Sequence, residues 1–180
     1  GVNVKHAHAD AQLVTNRLKM ENVVLTVDNK EYFSEAKLGG PKECTLKAGT
    51  IDFDFTKNTV EVLKLDGKAY PGYTMRMFSG AATRVLKDFT FTRPAVLTGG
   101  GLFPMGDDFR LMKGRIRFDA SAGNVRYKLL GTTLDLTKAK GTILISPDWV
   151  VVDKFTGQLW KGSFDGRVSA QIDEGNDLNA

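Results

Sequence analysis

Alternation at a period of two constrains this chain more than any other feature. Ile51, Phe53 and Phe55 take one phase, and Asp52 and Asp54 take the other. Successive side chains of an extended strand point to opposite faces, so such a run presents one apolar and one polar face. Lys57-Asn58 reads as a turn, and Val60, Val62 and Leu65 follow it. Ile116 and Phe118 repeat the pattern, Ala120 to Asn124 is turn-like, and Val125, Tyr127 and Leu129 continue. Ile143 and Ile145 do so again, and Ser146-Pro147-Asp148 turns the chain into Trp149 to Phe155. Gly157, Gly162 and Gly166 then punctuate two short strands holding Leu159, Trp160, Phe164, Val168 and Ile172. Alternating runs separated by Gly, Pro, Asn and Asp turns predict antiparallel hairpins and meanders.

The opening of the chain follows the same rule less clearly. Val2 to His8 and Gln12 to Met20 read as strands, Val23, Leu25 and Val27 alternate, and Asp28-Asn29 is a turn. Ser79 to Lys87 alone has helical spacing, with Ser79 as N-cap and Ala82, Val85 and Leu86 on one side. Gly49-Thr50-Ile51, Gly114-Arg115-Ile116 and Gly141-Thr142-Ile143 form a weak, unevenly spaced repeat that predicts three strand openings. The expected fold is mainly β: a single domain over residues 1–180, an antiparallel meander forming a curved sheet, groove or sandwich. One short helix is expected near residues 79–87.

Composition narrows the functional classes. With 42% hydrophobic residues in 180, the chain can bury a sizeable core. Its net charge of +4 comes from scattered Lys and Arg, which is no nucleic-acid footprint. Cys44 is the single cysteine, so no internal disulfide forms, and it reads as a small buried hydrophobe. No run approaches the roughly 18 apolar residues that a membrane-spanning helix needs. No signal peptide is visible, and the first residue is Gly1, so a trimmed or mature portion of a larger protein is expected.

Candidate chemistry is sparse. His6, His8 and Asp10 share one strand face and have metal-ligand chemistry, but no fourth ligand is identifiable. An exposed polar strand face is the plainer reading, and no metal or cofactor is expected. The chain lacks the nucleophile elbow, the phosphate-binding loop and the zinc-protease motif, and Gly99-Gly100-Gly101 reads as a flexible turn or bulge. Asp107-Asp108 and Asp52/Asp54 read as solvated carboxylates, and no enzyme is expected. The aromatics fall on the apolar phase of the strands, where a packed core and a lipid-lined groove look the same.

The segment Ala81 to Val96, with its expected helix, Phe89-Thr90-Phe91 and Arg93-Pro94, resembles AsmA-like bacterial envelope proteins, including those of the TamB type. The closing stretch Gly141 to Val168, with Gly157-Gln158-Leu159-Trp160-Lys161-Gly162-Ser163-Phe164-Asp165-Gly166, is similar to the C-terminal region of that family. The resemblance covers about residues 46–173; the family's N-terminal membrane anchor is not seen in these residues, a departure that truncation would explain. It implies an elongated β-sheet with an apolar groove, placed in the periplasm or envelope of a Gram-negative bacterium. It also implies phospholipid transport or outer-membrane biogenesis, lipid acyl chains or envelope proteins as partners, and membrane association through flanking regions. On this reading the groove candidates are Ile51, Phe53, Phe55, Ile116, Phe118, Tyr127, Ile143, Ile145, Trp160 and Phe164. A β-sandwich of structural, adhesion or pilus-associated role is the alternative, and a metal enzyme built on His6, His8 and Asp10 is the third.

Overall fold

The computed structural model describes residues 3–30, 32, 41, 43–74, 88–105, 111–129, 131–172 and 178–179. Its strands are β1 (Asn3–Val14), β2 (Arg17–Asp28), β3 (Glu43–Asp54), β4 (Thr59–Ala69), β5 (Phe89–Phe91) and β6 (Ala95–Pro104). They continue as β7 (Lys113–Asp119), β8 (Asn124–Leu129), β9 (Thr132–Ile145), β10 (Trp149–Leu159), β11 (Gly162–Ile172) and β12 (Leu178–Asn179). A single helical turn, α1 (Pro71–Thr74), follows β4. The helix expected at 79–87 lies outside the described residues.

All twelve strands belong to one open antiparallel sheet, in the order β1-β2-β3-β4-β6-β7-β9-β10-β11-β12. The remaining two extend interrupted strands. β5 and β8 pair with each other, and β8 pairs with the first half of β9, whose second half pairs with β7. β5–β6 and β7–β8 are therefore two long strands, each broken by a short loop. Thr92 and Asn124 hold these loops together: the Asn124 carbonyl accepts from both the Thr92 N–H (2.9 Å) and the Thr92 hydroxyl.

Cross-strand rows show why the alternation works. Leu46, Leu97 and Phe118 lie on one row with Gly67 and Gly141 between and beyond them. Met20, Ile51 and Val62 lie on another, which continues through Gly101 and Gly114 to Ile145 and Val150. The opposite face carries polar rows such as Lys19–Asp52–Glu61. There Arg17 grips Asp52 with two hydrogen bonds, Nε–Oδ1 at 3.0 Å and Nη2–Oδ2 at 2.7 Å. Turns are fixed by carboxylates. Asp54 accepts from the N–H of Lys57 and Thr56, and Asp28 from the N–H of Lys30, which hold both carboxyls below their usual range.

Several expected boundaries move. Residues 3–28 form two strands meeting at Thr15-Asn16, not strands ending at His8 and Met20. Thr15 sits at φ +49°, the left-handed geometry of a tight turn. Gly49 and Gly141 do not open strands; they lie inside β3 and β9. Gly99 to Gly101 also lies inside a strand, β6, with a bulge against β4 between Val62 and Leu65. A Cβ on Gly99 would come within 2.1 Å of the Arg115 carbonyl oxygen, so the glycine serves close backbone approach. The strands after Trp149 are long, not short, at 11 residues each.

Four strands break step in mid-length. Asn22, Lys64, Lys138 and Lys154 all have positive φ, between +50° and +55°, inside β2, β4, β9 and β10. Each sits where a ladder shifts register. Such bulges bend the strand and increase its twist.

Candidate functional site: one apolar face in two zones

The apolar face of the sheet is the one extended feature that the sequence candidates share. From β2 to β7 it is closed by the chain itself. Ile51, Ile116 and Phe118 are buried there, with Val23, Val27, Leu46, Val60 and Leu97. α1 lies over this zone. Between Pro71, Thr74 and the sheet residues Leu46, Val62, Leu97, Phe103 and Ile116 remains a cavity of only about 20 Å³. Its lining is apolar, and such a void stays dry.

Three tyrosines secure this cover. Tyr32 packs against Tyr70 and Tyr73, with ring centroids 4.8 and 5.9 Å apart. The Tyr32 hydroxyl donates to the Phe91 carbonyl at 3.0 Å and accepts from the Phe91 N–H at 2.9 Å. It thus does for β5 what a neighbouring strand would do. Burial pushes the Tyr70 hydroxyl well above its ordinary range. Burial likewise raises the Cys44 thiol, which packs as a small hydrophobe.

From β9 to β11 the cover is mixed: Leu136, Ala139 and Val150 are buried, but much of the face is only partly covered. Ile143, Ile145, Val152, Phe155, Leu159 and Phe164 are half-buried, and Val168 is 50% exposed. An aromatic path leads from the closed zone into the open one. Phe118 lies 6.3 Å from Phe155, and Phe155 meets Phe164 edge-on at 4.8 Å. Glycines seat two of these rings. Gly141 pairs with Phe118 and Gly157 with Phe164, and a Cβ would approach those rings to 3.0 and 2.7 Å.

Seven of the ten groove candidates thus share this face in contact with the core: Ile51, Phe53, Ile116, Phe118, Ile143, Ile145 and Phe164. Tyr127 lies at its margin, stacked on Phe89 at 4.6 Å. Phe55 and Trp160 are not brought into it. Phe55 follows β3, is 51% exposed and stacks on Phe53. Trp160 forms the β10–β11 turn with φ +54° and is 84% exposed.

The face also contains Val152, Phe155 and Leu159, which the candidate set lacks. Strict alternation from Val150 and Val152 would place Lys154 inward. The bulge at Lys154 shifts the phase, so Lys154 is exposed and Phe155 turns to the core. The readable signal was glycine opposite aromatic, as at Gly157 and Phe164.

His6, His8 and Asp10 lie exposed on the polar side of edge strand β1. Asp10 Oδ2 accepts from Asn22 Nδ2 at 2.9 Å. Among the described residues, no group of three or more His, Cys, Asp or Glu side chains is placed to hold a metal ion. No described helix is long and apolar enough to cross a membrane. No protein-family model, curated protein or solved structure matches the chain.

Proposed function

We propose that the chain is a non-catalytic envelope domain of AsmA-like type, whose open apolar zone holds lipid acyl chains during phospholipid transport or outer-membrane biogenesis. The observation that carries this reading is the half-buried patch Ile143, Ile145, Val152, Phe155, Leu159 and Phe164, which continues the closed core and has no covering element among the described residues. An acyl chain laid on it gains about 0.8 kcal/mol for each CH₂ removed from water. No reacting group is required, because exclusion of water does the work. The periplasm of a Gram-negative bacterium is the matching compartment, and envelope proteins are the matching partners. The sandwich alternative gains no support, since the described strands form one sheet.

Native mass spectrometry after mild extraction tests the proposal. Co-purifying phospholipid is expected, with its occupancy lowered several-fold by Val152→Asp, which places a charge in the open zone. A lipid-free protein that takes up no phospholipid from vesicles sinks the proposal.

A further inference from the structure

Edge strands are usually guarded, and most of β1 is guarded lightly. Natural sheets blunt a free edge with Lys, Pro, bulges or short length. β1 runs for 12 residues; Lys5 and the bulge beside it guard its start, but from His6 to Val14 it carries no Lys, Arg or Pro. Its only formal charge there is Asp10. Its apolar side is built from Ala7, Ala9, Ala11 and Leu13, so no bulky group obstructs an incoming strand. Val4, Leu13 and Val14 are exposed, giving β1 three of the described chain's large exposed apolar side chains.

The spacing of the polar side supplies a partner. We infer that β1 pairs antiparallel with β1 of a second copy of this chain, about a twofold axis through Ala9. That register sets Ala9 against itself, Ala7 against Ala11, His6 against Gln12 and His8 against Asp10. Each pair shares a face because its members differ by an even number of residues. The His8–Asp10 pair occurs twice by symmetry, and opposed side chains with Cβ atoms about 5 Å apart are within hydrogen-bonding reach. Asn22 occupies only Oδ2 of Asp10, which leaves Oδ1 free to accept from the partner's His8. Glu21, which faces Asp10 from β2, is itself paired with Lys19 at 2.7 Å. The bulge between Val4 and His6 returns Val4 to the apolar phase, beside Leu13 of the second copy. A twofold perpendicular to the sheet keeps both apolar faces on one side, so the dimer doubles the continuous apolar surface. The inference rests on the edge alone and stands apart from the lipid reading.

Sedimentation velocity over a wide concentration series tests it on the whole chain. A monomer–dimer equilibrium is expected. Ala11→Lys, at an exposed inward-phase position, should leave only monomer. His8→Asp opposes like charges twice and should weaken the dimer about tenfold. Adding Asp10→His to that variant re-creates both pairs with their signs exchanged, and should restore affinity to within a few-fold. Circular dichroism confirms that each variant keeps the sheet. A monomer at every concentration overturns the inference. So does an Ala11→Lys variant that associates like the parent chain, which would mean another surface or another partner, or an exchanged pair no tighter than His8→Asp alone.

Discussion

The apolar face between β2 and β7 and the same face between β9 and β11 arise from one pattern but end in different states. In the first, Val27, Val60 and Ala69 are fully buried, and Tyr32 packs against Tyr70 and Tyr73 at one end of the zone. In the second, Val152, Phe155 and Phe164 cover one another only in part. Both zones are antiparallel ladders with apolar residues on one face. The difference lies in connection length. The links out of β2 and β4 are long, and their described residues Tyr32 and Pro71–Thr74 cover the sheet, whereas β9, β10 and β11 are joined by short turns. A one-sided sheet needs something to dry its apolar face, and loop length decides where the chain supplies it.

The strongest way to break this comparison is to remove the cover. Tyr73→Ala should destabilise the protein by about 3–5 kcal/mol, because it empties a fully enclosed site that cannot collapse. Urea denaturation measures it, and a loss near that of an exposed residue would mean the first zone is as open as the second. Phe164→Ala sharpens the contrast. It loses one edge-on ring contact and partial burial, so about 1–2 kcal/mol is expected in the same assay. Phospholipid occupancy should fall with it. Trp160→Ala sets the floor, at within about 0.5 kcal/mol, since its ring stands in solvent at a turn. Iodide quenching should reach Trp160 freely, and lipid occupancy should be unchanged by its loss.

Much of the sheet was legible in the sequence, and the reasons for the remainder are local. Ile51, Ile116 and Phe118 were readable because their strands keep strict alternation beside clear turns at Lys57-Asn58 and Ala120 to Asn124. Phe155 was readable as an apolar aromatic, but its phase relative to Val150 and Val152 was not, because Lys154 adopts a left-handed conformation that alternation cannot anticipate. Trp160 was misleading for a related reason. An aromatic between two alternating runs looks like a strand residue until the chain reverses at that position. The one-sidedness of the face was readable, but its division into closed and open zones was not. That division depends on Tyr32 and Tyr70, which lie outside the alternating runs and meet only through the fold.

The positive-φ residues within the strands carry a mechanical consequence. Asn22, Gly49 and Lys64 stand abreast on β2, β3 and β4, with a Cβ on Gly49 lying 3.2 Å from that of Lys64. Ladder bonds are interrupted along this line, which creases the β2–β4 side of the sheet, while the β6–β7 and β7–β9 ladders run unbroken. Amide protons along the crease should exchange with solvent before those of the unbroken ladders. Bending β2–β4 along this line strains fewer hydrogen bonds than bending the unbroken β6–β7 ladder, so this side of the sheet can change its curvature while the centre holds its shape.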